Sequence, residues 1–200
     1  MLEGVTRRRR PGGRTADVTR RINEAVLELL VEGGIDACTF QNVAAKAGIE
    51  RSTLYRRNPD RWPTIIAAII DFAKRETPAA VTGSFKGDLL DVLRSTARVM
   101  SSPLGPPLMG AAAALRAGAA PGETERFWES RREQLKPMFD AAIDRGELPA
   151  DIDREELFAM AAGPIFFRLF VSARPFDDEW LGKIVDQVCS DYCLVPANRA

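Results

Sequence analysis

Hydrophobic positions along the chain recur at helical spacing and are interrupted by short stretches that contain proline, glycine or aspartate. In the first such pattern, residues 15–30, apolar side chains recur every three or four residues before Gly33 and Gly34. This spacing places them on one face of a helix, and the two glycines are a stop signal. The stripe consists of Val18, Ile22, Val26, Leu29 and Leu30. We expect it to pack against Phe40, Val43 and Leu54 of the segment that follows.

Helical patterns continue to the end of the chain. They cover residues 61–76, 87–101, 105–118, 121–146, 153–173 and 177–195. Two shorter helices lie within residues 39–61, and no segment shows the period-two alternation of a strand. The sequence therefore predicts an all-α fold of nine helices.

Residues 39–61 follow the pattern of two short helices joined by a tight turn. Thr39 is a candidate N-cap, Gly48 is the turn residue, and Ser52 or Thr53 can open the second helix. Gly48 can adopt a positive φ without steric cost, and small side chains before it let the two helices cross steeply. This arrangement is typical of a helix-turn-helix.

The second short helix presents polar side chains around one apolar anchor, Leu54. Hydroxyl, guanidinium and amide groups at such positions can contact phosphates and base edges of DNA. We assign base-facing roles to Arg51, Ser52, Thr53 and Arg57. We assign phosphate contacts to Thr39, Gln41, Tyr55 and Arg61, with Arg56 on the same helix as a further DNA-binding candidate. The alternative for each residue is an ordinary exposed polar group.

The run AAKAGIERSTLYRRNPDR resembles the DNA-binding signature of the TetR family of bacterial transcriptional regulators. Its matching positions are Ala44, Ala47, Gly48, Ile49, Thr53, Leu54 and Tyr55. Asn58 stands where the family usually has Phe, and Arg57 replaces the usual His or Tyr. Arg61 stands at a phosphate-binding Lys position and keeps the charge. We expect Asn58 to alter the seating of the recognition helix and Arg57 to alter a DNA contact.

The second half of the chain resembles the same family through the segments SSPLG, RGELPADID and AGPIFFRLFV. The resemblance implies a three-helix DNA-binding head on a larger helical domain for ligand binding and dimerisation. Four consecutive arginines followed by Pro-Gly-Gly cannot pack a core, so we expect residues 1–14 to be a disordered basic arm. We expect residues 15–77 to form the head and residues 78–200 the larger domain.

The helix predicted at residues 153–173 is too apolar around its circumference for one small core. A partner subunit that covers it explains this composition, and TetR-like proteins are similarly dimeric. The predicted homodimer interface consists of Phe158, Ile165, Phe167, Phe170, Trp180, Ile184 and Val188. The alternative is an ordinary core helix of a monomer.

Small residues at 111–114 lie near methionine and aromatic side chains, a combination that can leave an apolar cavity. The predicted effector pocket consists of Met100, Met109, Phe127, Trp128, Met138, Phe139 and Phe166. Without histidine and with few inward polar groups, the expected effector is small and hydrophobic. Plain core packing of the same side chains is the alternative.

Charge is divided unevenly between the two halves, although the formal net charge is zero. Residues 1–77 carry 14 basic and 10 acidic side chains, whereas residues 78–200 carry 14 and 18. Such asymmetry is expected if only the N-terminal part of the chain binds a polyanion such as DNA. The arm residues Arg7, Arg8, Arg9 and Arg10 form either a solvated tail or a basic segment that follows phosphates or enters a minor groove, and we favour the second.

Several functional classes are disfavoured by what the sequence lacks. It has no histidine, no nucleophile-elbow motif and no phosphate-cradling glycine loop, so we expect no enzyme, cofactor or metal site. Three cysteines give no disulfide framework, and no apolar run is long enough to span a bilayer, so we expect a cytoplasmic protein.

The sequence predicts a repressor that binds a pseudo-palindromic operator as a homodimer and is released by its effector. A ligand-independent or activating regulator of the same fold is the alternative.

Overall fold

The computed structural model describes residues 12–194, which form nine α-helices, a short π-helical segment and no strand. The all-α prediction is confirmed. The helices are α1 (Gly12–Ala37), α2 (Phe40–Ala47), α3 (Arg51–Arg57), α4 (Trp62–Glu76), α5 (Phe85–Ser101), α6 (Gly105–Arg116), α7 (Glu123–Asp144), α8 (Arg154–Phe166) and α9 (Asp178–Tyr192). The π-helical segment is Phe167–Val171.

Helix α1 differs at both ends from the sequence prediction. It begins at Gly12, within the segment assigned to the arm. The predicted stop at Gly33 and Gly34 is instead a kink, where Gly34 has φ 65° and ψ −158° before helical structure resumes. A positive φ of this kind suits glycine because it has no Cβ.

Contacts between residues divide the chain into two compact units, Met1–Ile69 and Ile70–Ala200. The division falls inside α4, whereas the sequence analysis placed the boundary after residue 77. The second half of α4 belongs to the second unit, where Gln134 Nε2 donates to the Ala73 and Thr77 carbonyl oxygens at 3.3 and 2.9 Å.

The core of the first unit is built from α1, α2, α3 and the first half of α4. Four of the five residues in the predicted stripe of α1 are buried, and only Val18 remains half-buried. The three residues expected to face this stripe, Phe40, Val43 and Leu54, are buried as well. The apolar spacing therefore identified the core of this unit correctly.

The core of the second unit is drawn from α5, α7, α8 and α9. Its largest fully buried side chains include Phe85, Leu89, Leu93, Met138, Phe139, Leu157 and Ile165. Helix α6 contributes little, because Gly105 and Ala111 are its only buried residues. A helix with so few buried side chains is held weakly in place.

The helix predicted at residues 153–173 is interrupted near its middle. Asp153 caps α8 by accepting hydrogen bonds from the backbone N–H groups of Glu155 and Glu156 at 3.0 and 2.9 Å. Pro164, inside α8, has no N–H to donate, and the chain then changes to π-helical geometry at Phe167.

Candidate nucleic-acid interface

The turn between α2 and α3 has the caps that the sequence predicts. Thr39 Oγ1 accepts a hydrogen bond from the Asn42 backbone N–H at 3.2 Å. Gly48 ends α2 in the left-handed region at φ 61° and ψ 45°. Its N–H bonds back to Ala45, and the following N–H, of Ile49, bonds to Ala44 at 3.0 Å. These bonds close the end of α2 and turn the chain towards α3.

Helix α3 begins at Arg51, before both Ser52 and Thr53, so the prediction that one of them opens the helix is wrong. The N-cap is Glu50, which has an extended backbone and no side-chain capping bond. The chain is already extended there because it has just left the left-handed turn, and Thr53 N–H bonds to the Glu50 carbonyl. Sequence analysis missed Glu50, an exposed carboxylate at the start of α3.

Leu54 is the only buried residue of α3. The other positions are exposed, apart from the half-buried Thr53. One apolar anchor therefore seats the helix, and its polar side chains are displayed outward. The exposed polar set is Arg51, Ser52, Tyr55, Arg56 and Arg57.

Tyr55 joins α3 to α2 through ring contacts. Its ring lies edge-on to that of Phe40, with centroids 4.7 Å apart. Arg51 Nη2 donates to Tyr55 Oη at 2.6 Å, and the Arg51 guanidinium lies 5.0 Å from the centre of the ring. This pairing orients both side chains along the outer face of α3.

Five predicted DNA-binding residues meet at one open depression of about 380 Å³. They are Thr39, Gln41, Arg51, Tyr55 and Arg61. Phe40, Pro59 and Asp60 complete its lining. Ser52, Thr53, Arg56 and Arg57 are outside it, further along the exposed side of α3. The surface thus combines a cationic hollow with a row of polar side chains.

Two of the predicted contact residues, Arg57 and Arg61, are hydrogen-bonded to α1. Arg57 Nη1 donates to Thr19 Oγ1 at 3.1 Å, which links α3 to α1. Arg61 Nη1 donates to the Ile35 carbonyl oxygen at 3.3 Å, and its Nη2 lies 3.9 Å from Asp36 Oδ1. These bonds hold both guanidinium groups beside α1.

Asn58 replaces aromatic packing with a polar link. It is half-buried and extended, and its N–H bonds to the Leu54 carbonyl at 3.0 Å. Its Nδ2 donates to Thr64 Oγ1 of α4 at 3.2 Å. The recognition helix is therefore tied to α4 at this point, and Trp62 supplies a buried aromatic four residues later.

The predicted arm contacts, Arg7, Arg8, Arg9 and Arg10, lie outside the described residues. The seven predicted pocket residues, which the structure does describe, do not share one environment. Met138 and Phe139 fill the main core, whereas Trp128 is 41% exposed. Met100, Met109, Phe127 and Phe166 are half-buried. Both Met138 and Phe139 are packed against other core side chains.

The residues of the predicted dimer face differ in their burial. Ile165 and Val188 belong to the subunit's own core, so they present no surface to a partner. Phe158, Trp180 and Ile184 are partly buried against that core, and Phe170 is half-buried. Phe167 alone of the predicted set is well exposed, at 60%.

Two exposed apolar residues beside Phe167 were missed. Met160 and Val171 are 56% and 70% exposed, and with Phe167 they follow spacings of seven and four. That spacing is visible in the sequence and could have identified them.

An open groove of about 720 Å³ adjoins this stripe and is lined by Gly163, Pro164, Phe167, Arg168, Ser172, Arg174 and Trp180. Arg168 lies 4.4 Å over the Trp180 ring and donates to the Pro175 carbonyl at 2.7 Å.

The cysteines are protonated thiols at neutral pH. Burial raises the pKa of Cys38 to about 11 and that of Cys189 to about 12. In the part of the chain that the structure describes, no three His, Cys, Asp or Glu side chains are grouped to hold a metal ion. Within the same residues, no helix is both long enough and apolar enough to cross a membrane.

Two protein-family models match the sequence. The model described as bacterial regulatory proteins, tetR family, matches residues 22–60, which include α2 and α3. The model described as Tetracyclin repressor-like, C-terminal domain, matches residues 79–188, most of the second unit. The two matches together span both units of the fold.

Individual proteins resemble the chain along most of its length. YdeS of Bacillus subtilis, an uncharacterised HTH-type transcriptional regulator, is 29% identical over 169 residues, covering 83% of this chain and 85% of YdeS. The DNA-binding transcriptional repressor TetR of Mycobacteroides abscessus is 30% identical over 174 residues, covering 81% and 86% of the two chains. The crystal structure of the TetR family transcription regulator SCO0332 matches with a TM-score of 0.74 and 25% identity, covering 89% of this chain and all of that one.

Proposed function

The chain belongs to the tetR family of bacterial regulatory proteins, and from this premise we propose that it is a repressor that binds a pseudo-palindromic operator as a homodimer. It is a helix-turn-helix transcriptional regulator and not an enzyme. A repressor role is supported by the M. abscessus relative, which is itself a named repressor. Operator DNA lies in the bacterial cytoplasm, where we propose that the protein acts.

The observation that carries the DNA-binding proposal is the outer face of α3. Leu54 anchors this helix, and Ser52, Thr53 and Arg56 are left to face a major groove. Recognition helices of this kind contact base edges through their N-terminal residues. The hollow at Thr39, Gln41, Arg51, Tyr55 and Arg61 is suited to a neighbouring phosphate.

The homodimer proposal is supported by the exposed apolar stripe of Met160, Phe167 and Val171. Contiguous apolar surface of this kind marks a protein-protein contact. A two-fold axis would place the same stripe of two subunits face to face. Two recognition helices then read two half-sites, which one short helix could not select alone.

We propose that a small, hydrophobic effector releases the operator and binds beside α6 rather than inside the main core. Met109 of α6 and Phe127 of α7 are half-buried, and α6 has only two buried residues. A weakly held helix can move to admit an apolar molecule. The second candidate, ligand-independent or activating control, is favoured by the filled core around Met138 and Phe139.

Removing a positive charge from α3, or a negative charge from its N-cap Glu50, tests whether this helix contacts DNA. Arg56→Gln removes an exposed positive charge, so binding should weaken about 10-fold and the log–log salt slope should fall by about 0.9. Glu50→Gln removes an exposed negative charge near the phosphates, so binding should strengthen about threefold. Fluorescence anisotropy with a labelled operator duplex between about 50 and 200 mM salt measures both effects.

The matched control for these variants is Arg98→Gln, which removes an exposed positive charge from α5 in the second unit. It should leave affinity and salt slope at their wild-type values. The same affinity for wild type, Arg56→Gln and Glu50→Gln would contradict a DNA-reading role for α3.

A further inference from the structure

Helix α3 is a short element with a single apolar anchor. It has 7 residues, Leu54 is its only buried side chain, and its N-cap makes no side-chain hydrogen bond. A helix of this length is not stable on its own, and one buried side chain leaves its rotation about its own axis undefined. Other contacts must therefore fix the side that α3 presents outward.

Helical periodicity separates the two sides of α3. Arg57 and Asn58 follow Leu54 by three and four residues, so they lie on or beside the side that Leu54 anchors. Ser52 and Arg56 are four residues apart and lie on the opposite, outward side. Arg57 and Asn58 are therefore placed to contact the rest of the first unit.

Arg57 joins the end of α3 to α1. Its Nη1 donates to Thr19 Oγ1 at 3.1 Å. The Thr19 hydroxyl donates its own proton to the Thr15 carbonyl oxygen at 2.9 Å, which leaves the lone pairs of Oγ1 for the guanidinium. Because the donor is charged, this hydrogen bond is stronger than one between neutral groups.

Asn58 joins the same end of α3 to the first turn of α4. Its Nδ2 donates to Thr64 Oγ1 at 3.2 Å, and Thr64 is only 7% exposed. A buried hydroxyl that loses its partner is costly, so this bond is favoured over exchange with water. Both this bond and that of Arg57 lie within the first compact unit.

We propose that Arg57 and Asn58 are positioning residues, which act through Thr19 and Thr64 to set the rotation of α3 and so determine which base edges its outward side reads. The inference rests on the proposed function, since it requires that α3 contacts DNA. It gives Arg57 a role other than the base contact predicted from the sequence. It also adds Thr19 and Thr64, which have no predicted DNA contact, to the residues that determine specificity.

The test removes each acceptor from the full chain without changing charge or side-chain shape, by Thr19→Val and Thr64→Val. Affinity is measured for a duplex that the wild type selects from a random library and for a shuffled duplex of the same composition. The ratio of the two affinities is the discrimination. Each variant should lose about 10-fold in discrimination, because each bond is present twice in the proposed dimer. The log–log salt slope should stay at the wild-type value, because no phosphate contact is lost.

A double-mutant cycle separates positioning by Arg57 from a direct contact with DNA. Arg57→Met should lower the discrimination about 10-fold in the wild-type background but less than about twofold in the Thr19→Val background. An equal loss in both backgrounds would mean that Arg57 reads a base. A lower salt slope with unchanged discrimination would mean that it contacts a phosphate. Either result, or no effect of Thr19→Val, overturns the role proposed for Arg57.

The second bond is tested by the same cycle with Asn58→Ala and Thr64→Val. Asn58→Ala should lower the discrimination in the wild-type background and change it less than about twofold in the Thr64→Val background. Equal losses in the two backgrounds, or none in either, would show that Asn58 does not act through Thr64.

Thr15→Val is the matched control for a structural effect. It makes the same substitution one turn earlier on α1, where Thr15 is exposed and contributes only its backbone carbonyl to the bond with Thr19. It should keep the wild-type discrimination. Loss of stability alone lowers the active fraction of the protein and therefore both affinities equally, which leaves their ratio unchanged. A control that loses as much discrimination as Thr19→Val contradicts the proposal.

Hydrogen exchange of the free protein separates failure of this inference from failure of the proposed function. The amides of residues 55–58 should exchange at least about threefold faster in Thr19→Val and Thr64→Val than in wild type. If the wild type selects no DNA sequence, the proposed function fails. Unchanged exchange at these amides overturns the positioning role itself.

Discussion

Replacing Phe167 with glutamate is expected to convert the proposed dimer into a monomer and to weaken operator binding by about 100-fold or more. Phe167 lies at the middle of the exposed apolar stripe, between Met160 and Val171, and is 60% exposed in the single subunit. A buried, unpaired carboxylate at a two-fold interface is present twice, so the penalty is doubled. Loss of the dimer removes the second half-site, which accounts for the loss in affinity.

Sedimentation of the full-length variant at micromolar concentration measures the first effect, and operator titration measures the second. Val81→Glu is the matched control, because Val81 is 51% exposed in the second unit but lies outside the stripe. That control should remain dimeric and bind DNA normally. A dimeric Phe167→Glu protein would show that the two-fold contact lies elsewhere.

Replacing Leu54 with alanine is expected to abolish operator binding while leaving the dimer intact. Leu54 is fully buried and is the only apolar anchor of α3, so the truncation leaves a cavity under the recognition helix. Such a substitution costs about 2–5 kcal/mol. The free energy of unfolding of a whole small domain is only about 5–15 kcal/mol, so much of the stability of the DNA-binding unit is lost.

Thermal unfolding and hydrogen exchange of α2 and α3 measure the destabilisation, and sedimentation checks the dimer. Val31→Ala is the control: it also truncates an apolar side chain of the same unit, but Val31 is 48% exposed. It should change stability by less than about 0.5 kcal/mol and keep DNA binding. A Leu54→Ala protein with wild-type affinity would mean that α3 does not form the DNA-reading surface.

Local rules were sufficient for the turn of the helix-turn-helix. Thr39 and Gly48 have roles set by the backbone within a few residues, and the structure has both as expected. The start of α3 was predicted less well, because the extended backbone at Glu50 is a consequence of the preceding turn and not of its own side chain. Ser52 and Thr53 were favoured instead because serine and threonine are common N-cap residues.

The partition between core and surface in α8 and α9 could not be read from composition. These helices carry more apolar side chains than one helix face can hold. Some of these side chains lie in the core, and others form the exposed stripe of Met160, Phe167 and Val171. Ile165 and Val188 were assigned to the surface and lie in the core, whereas Met160 and Val171 were missed and are exposed. Which face a residue occupies depends on the rotation of α8, and Pro164 and the π-helical segment after it alter that rotation.

The hydrogen bonds from Arg131 and Gln134 of α7 to Thr77 show a further limit. Arg131 and Gln134 are separated from Thr77 by more than fifty residues, and nothing in the local pattern of α7 marks them as capping groups for another helix. An arginine and a glutamine three residues apart usually indicate an exposed helix face. Their role follows only from the tertiary packing of α7 on the end of α4.

In the proposed dimer, α3 reads a specific DNA sequence as one of two symmetric heads. The full-length protein can be used to select bound duplexes from a random library, which are then sequenced. We expect the enriched sequences to form an inverted repeat with half-sites about one helical turn apart. A protein with alanine at Ser52, Thr53 and Arg56 should lose that enrichment. Enrichment of no sequence, or of the same inverted repeat by both proteins, would contradict the claim.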